Sequence, residues 1–190
     1  MHHGNGTQSA FYDDPSVLTI SLHQDGLFPP NSGLLEERGG GAGEGFNLNI
    51  PLPPGSGSGA YLAAMNRVVI PALDRFKPEI IFVASGFDAS ALDPLGTMML
   101  GSDTYHQMTN LVMDASERHC GGKIVMTHQG GYSAAYVPYC GLETVSALLK
   151  KPSGITDPFL EDILGWGGQD LQPHQDTAVS AAESLLDAIT

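Results

Sequence analysis

Two adjacent histidines, His2 and His3, head the chain and run into a Gly-Asn-Gly turn. An imidazole nitrogen of His2 and a carboxylate oxygen of Asp88 are both common zinc donors. A catalytic zinc usually takes three protein ligands and keeps a further position for water or substrate. Tyr132 follows Gly130 and Gly131 directly, where its hydroxyl can face a developing oxyanion. The glycines let backbone approach a substrate with no side chain in the way. Each residue also has a plainer reading. An aspartate ending a strand often caps a turn, and a loop tyrosine often packs. Paired histidines at a terminus also fit a tag remnant or a frayed end. Residue type and spacing alone leave these readings open.

The elements that must position these residues can be read from hydrophobic pattern. VLTISL (Val17 to Leu22) and EIIFVASGFD (Glu79 to Asp88) are apolar, β-rich runs, and KIVMTHQGGY (Lys123 to Tyr132) repeats the design. Helical patterns span Ala60 to Phe76 with a kink or break at Pro71, and Ser102 to His119 with Ser102-Asp103 as N-cap. Further helices run from about Leu142 to Leu149 and from about Thr177 to Ile189. The segment from Gln24 to about Gly59, with FPPNSG, GGGAGEG and PLPPGSGSG, reads as one long irregular loop. Its glycines lack the GK[ST] of a phosphate loop, so nucleotide binding ranks last. Strands alternating with helices predict a single α/β domain with a mainly parallel sheet. Ligands of such sheets bind beyond the carboxyl ends of the strands. Three predicted strands end there in SLH, SGFD and HQGGY, which gathers scattered polar residues into one candidate site.

Composition narrows the partners. Eight basic against 21 acidic residues give a net charge of −13, which argues against nucleic acid as a direct partner. The charge suits a cationic substrate, and equally a merely soluble acidic surface. Two cysteines, Cys120 and Cys140, make no disulfide framework and point to a reducing, cytoplasmic setting. No apolar run reaches membrane-spanning length and no signal-like segment heads the chain, so no membrane partner is expected.

Three longer stretches carry a resemblance. HHGNGTQSAFYDDPSVLTISLHQDGLFP, SGFDASALDPLG and HQGGYSAAYVPYCGL resemble the zinc-dependent histone deacetylase family. The likeness is to class II enzymes and to the bacterial histone-deacetylase-like and acetylpolyamine amidohydrolases, and it runs from His2 to about Trp166. It implies the arginase/deacetylase three-layer α/β fold, a catalytic zinc, and hydrolysis of N-acetylated amines such as acetyl-lysine or acetylpolyamines. Position by position, His2 and Asp88 match zinc ligands, and Tyr132 matches the tyrosine that polarises the acetyl carbonyl. Gly130 and Gly131 match glycines lining the acyl-lysine tunnel, and Phe28 and Leu95 match its apolar walls. Ser21, Leu22 and the His2 carbonyl match part of a potassium site. Phe11, Asp14, Val17 and Phe46 match a second monovalent-cation site.

The resemblance also marks departures. The family's first zinc-binding aspartate lies two residues before the position of His2, and its general acid–base histidine pair lies further upstream. Residues 1–190 are therefore expected to be the C-terminal part of one catalytic domain, with the N-terminal half missing and two zinc ligands in place of three. That half, or a second copy, is the expected protein partner. The alternative is a catalytically inactive fragment that serves only as an interaction module or has no function. Gln129 stands where relatives carry Glu. Of the other histidines, His106 and His119 read as helix-surface residues and His174 as a linker residue. His23 and His128 read as hydrogen-bonding residues near the site.

Overall fold

β1 (Thr19–Gln24) and β2 (Asn47–Leu52) pair in parallel, with Thr19 opposite Asn47 and Gln24 opposite Leu52. β3 (Ile81–Ser85) and β4 (Ile124–His128) form a second parallel pair, with Ile81 opposite Ile124 and Ser85 opposite His128. The computed structural model describes residues 1–189. Parallel neighbours need a crossover connection. Between β3 and β4 it is supplied by α4 (Ser102–Cys120), which ends where Gly121 turns into the left-handed region.

The helical run from Ser58 to Phe76 is continuous rather than broken at Pro71. α2 (Ser58–Ala64) passes through a π-helical turn (Met65–Val69) into α3 (Ile70–Phe76), and Pro71 lies in the first turn of α3. Proline has no N–H to give and its ring crowds the preceding turn; the widened π turn accommodates both effects. Three elements depart from the sequence pattern. α1 (Asn5–Phe11) is helical where a turn was expected, α6 (Leu160–Gly165) was not foreseen, and β2 lies inside the supposed loop. β2 was hidden because Asn47 and Asn49 interrupt its apolar residues, yet both are buried. Their amide nitrogens share one acceptor: Asn47 Nδ2 and Asn49 Nδ2 donate to Gln8 Oε1 at 2.8 and 2.9 Å. α5 (Val137–Leu148) and α7 (Pro173–Glu183) each begin before the predicted residue, α7 with a reciprocal Gln172–Gln175 capping box. His174 accordingly sits in the first turn of α7 and not in a linker.

The core lies between β2, the α2–α3 run and α7. Ile50, Leu52, Ala60, Ala64, Val68, Ala72, Val179 and Ala182 are fully buried there. α7 packs against β2, and α2 and the π turn pack in turn against α7. Arg67 ties α7 from outside, reaching Asp176 and Glu183. α4 and α5 pack against each other. Cys120 and Cys140 are free and buried, and burial pushes the Cys140 thiol well above its ordinary range, which suits an inert core residue. Among the described residues no helix is long and apolar enough to cross a membrane.

Ile50 has no exposed surface and sits at the centre of β2. Ile50→Ala removes its side chain from a packed layer and is expected to cost about 2–5 kcal/mol of unfolding free energy, measured by urea denaturation.

Candidate functional site

The site forms where the predicted strands end. β3 runs out through Gly86 and Phe87 to Asp88, and β4 runs out through Gln129 to Gly130. Two backbone bonds hold these exits together: Gln129 N–H donates to Ser85 O at 2.9 Å, and Phe87 N–H donates to Gly130 O at 2.7 Å. Asp88 is thereby carried into the interior, where it is 2% exposed.

A buried carboxylate must be met by donors or positive charge. Asp88 Oδ1 accepts from the Met1 amino nitrogen at 2.5 Å, and Asp88 Oδ2 lies 3.0 Å from His2 Nδ1. Gly130 is required by this arrangement, since a Cβ there would overlap Asp88 Oδ2. The His2 ring stands edge-on to Phe28, with centroids 5.8 Å apart, and edge-on to Tyr132 at 6.1 Å. Tyr132 is 51% exposed and Phe28 59% exposed, so the buried carboxylate sits beneath an open, aromatic-rimmed mouth.

The loop carrying Phe28 is held by two buried histidines. His3 N–H donates to Phe28 O at 3.0 Å, and the His3 ring bonds Ser32 Oγ and Gln8 Oε1. His23 Nε2 contacts Gly33 O at 3.0 Å, which fits His23 to the hydrogen-bonding role expected of it. Burial, with the His3 ring 4.9 Å away, brings the His23 pKa from 6.5 down to about 4. His128 makes a different contact from the one expected: its ring stacks on Phe87 at 5.0 Å. His106 and His119 lie on α4 and bond Glu143 and Asp74.

Of the residues singled out by sequence, His2, Asp88, Tyr132, Phe28 and Gly130 converge here. Gly131 lies beside them in a backbone conformation that L residues rarely adopt, at φ +142°, and a Cβ there would run into Val137 and Phe87. Leu95 is exposed, and its N–H donates to Asp93 Oδ1 at 2.9 Å. Ser21 and Leu22 lie on β1, where Ser21 Oγ accepts the Gly4 N–H at 3.1 Å. The carbonyls of Phe11, Asp14 and Phe46 each accept a backbone N–H, from Asp14, Val17 and Thr19 respectively.

Sequence reasoning passed over Asp93, His3 and the Gln8–Glu37 pair. The Asp-Pro dipeptide was the one available signal for Asp93, since it favours a turn stabilised by the aspartate side chain.

The donor set accommodates a divalent cation in part. His2 and Asp88 present an imidazole nitrogen and a carboxylate oxygen 3.0 Å apart, a common zinc pair. Among the described residues no third His, Cys, Asp or Glu joins them.

The chain as a whole is similar to known proteins. The histone deacetylase domain profile matches residues 1–148. The histone deacetylase-like amidohydrolase of Pseudomonas aeruginosa is 55% identical over 163 residues, covering 86% of this chain and 43% of that protein. Histone deacetylase 8 of Arabidopsis thaliana is 36% identical over 189 residues, covering 97% of this chain and 48% of that protein. The solved structure of the histone deacetylase Clr3 superposes with a TM-score of 0.84 at 32% identity, over all of this chain and 30% of that one. The chain thus spans less than half the length of these relatives.

Two outcomes follow from the geometry. Gly130→Ala is expected to destabilise the chain by about 1–3 kcal/mol through the clash with Asp88, and by distinctly less in an Asp88→Ala background, as a double-mutant cycle in urea would show. The depressed His23 pKa means the unfolded chain binds a proton that the folded chain refuses. Stability is therefore complete above about pH 6.5 and declines as the pH falls toward about 4. Urea midpoints across that interval should fall in the parent and fall less steeply in His23→Gln.

Proposed function

The chain belongs to the histone deacetylase family, and from that premise we propose that its site serves the hydrolysis of N-acetylated amines. The observation that carries the reading is the convergence of His2, Asp88 and Tyr132 at the carboxyl ends of β1, β3 and β4. In hydrolysis, water adds to the acetyl carbon, the C–N bond breaks, and acetate and a free amine leave.

His2 Nδ1 and Asp88 Oδ2 would hold the catalytic zinc of the resemblance, supplying two of its usual three protein ligands. Such an ion, when bound, supplies Lewis acidity toward the acetyl carbonyl and the water. Tyr132 would donate its hydroxyl hydrogen to the carbonyl oxygen as negative charge develops there. Phe28 and Leu95 would flank the methylenes of the substrate, while Gly130 and Gly131 let backbone lie against it. Acetyl-lysine and acetylpolyamines both join an apolar linker to an acetamide, which suits those walls. The excess of 21 acidic over eight basic residues favours substrates that carry positive charge elsewhere. The potassium role of Ser21 and Leu22 rests on the resemblance alone.

A second reading, an interaction module without catalysis, is favoured by the pair of metal donors where three are usual. The two readings separate in titration calorimetry with zinc and in acetate release from an acetyl-lysine peptide. On the first, zinc binding is lost in Asp88→Ala and weakened in His2→Ala. Tyr132→Phe then keeps zinc binding and lowers turnover by about 10²–10³. A zinc-loaded chain that releases no acetate supports the second reading, and full turnover by Tyr132→Phe overturns the role given to that hydroxyl.

A further inference from the structure

A buried carboxylate outside the metal-donor pair ties the two walls of the mouth together. Asp93 is 7% exposed. Its Oδ2 accepts the Tyr132 N–H at 2.7 Å, and its Oδ1 accepts the Leu95 N–H at 2.9 Å. One side chain thus grips the loop after β3 and the loop after β4, 39 residues apart in sequence. We infer that Asp93 is a positioning residue for the site: it sets the Tyr132 hydroxyl and the Leu95 wall in fixed register.

Three features support this. First, the chain before Tyr132 is Gln129-Gly130-Gly131, and Gly131 adopts a conformation at φ +142°. Two successive glycines impose little torsional order, so the direction of Tyr132 depends on what grips its own backbone. The Asp93 bond is that grip, one peptide unit from the side chain that needs aiming. Second, Pro94 has no N–H, so the Asp93 carboxylate is free to take the amide two residues on, at Leu95. The proline thereby leaves Oδ2 to reach across to the other loop. Third, burying a carboxylate costs free energy that only well-made bonds offset. Both oxygens are used on amides that place surface residues, since Tyr132 and Leu95 are each more than half exposed. Packing alone leaves those two side chains loosely held, which makes the backbone tether decisive. His2 completes the frame, its ring edge-on to Tyr132 at 6.1 Å, so a shift of the Tyr132 backbone also moves the hydroxyl relative to the metal-donor pair.

This inference rests on the reading of Tyr132 as oxyanion donor, and the test has an arm that does not. Amide hydrogen exchange is followed in the full chain for the parent, Asp93→Ala and Asp93→Asn. In Asp93→Ala the Tyr132 and Leu95 amides are expected to exchange about tenfold faster or more, as befits loss of a bond to a charged acceptor. Amides in β4 and α4 keep their parent rates. Asp93→Asn retains the side-chain shape and one carbonyl oxygen, so it should protect one of the two amides and release the other. It also carries the test should the alanine variant not fold. Parent-like exchange at either amide in Asp93→Ala overturns the inference, as does equal acceleration throughout β4 and α4.

The second arm measures turnover of an acetyl-lysine peptide by the zinc-loaded chain. Asp93→Ala should lower kcat by about tenfold, the same bond expressed in the transition state. Combined with Tyr132→Phe it should lower kcat no further than Tyr132→Phe alone, because the two act through one hydroxyl. Additive losses would mean that Asp93 acts only on structure and would overturn the positioning role. A parent chain without turnover sinks the functional reading instead, and the exchange arm still decides whether Asp93 clamps the two loops.

Discussion

Asp88 carries a carboxyl group into the interior, and the surrounding backbone is arranged around it. A carboxyl group with so little exposure must find partners for both oxygens. Met1 and His2 supply one each. To bring them there, the chain before β1 folds back across the end of β3, and Gln24 N–H takes the Met1 carbonyl at 2.9 Å. The β4 exit must pass so close that only glycine fits at Gly130. Fold and site are therefore coupled at one side chain: strand pairing buries it, and its burial dictates what may stand nearby.

Around that fixed point the site is built from two kinds of support. Beneath the mouth lie buried polar groups with definite partners, among them Asp93, His3 and His23. Above it lie Phe28, Leu95 and Tyr132, which face solvent and gain little from packing. The upper residues are held through backbone: Phe28 by the His3 N–H, Tyr132 and Leu95 by Asp93. Anchoring through backbone leaves these side chains free to be contacted.

The sequence made the strands that end in SGFD and HQGGY legible because their apolar runs are uninterrupted and the polar residues come only at the exits. β2 was illegible for the opposite reason. Its asparagines look like loop residues, and nothing local shows that Gln8 and the carbonyls of Leu34 and Glu37 will accept from their amide nitrogens. Proline misled in a similar way around Pro71, where buried Ala72 and Leu73 carry the helix through weak local propensity. His128 shows the same limit at a single residue. Its polarity suggested a hydrogen bond, while its ring packs against that of Phe87.

By itself the sequence determined the alternation of strands and helices, the parallel sense of the pairing, and the positions of His2, Asp88, Phe28, Gly130 and Tyr132 at element ends. Those follow from hydrophobic period and from motifs whose residues are adjacent in the chain. Tertiary structure alone decided that Asp88 is buried and answered by Met1 and His2, that a side chain at Gly130 has no room, and that Asp93 joins two loops. Each of these is a relation between residues far apart in sequence. Burial, close approach and hydrogen-bond satisfaction exist only once the strands have paired and brought their exits together.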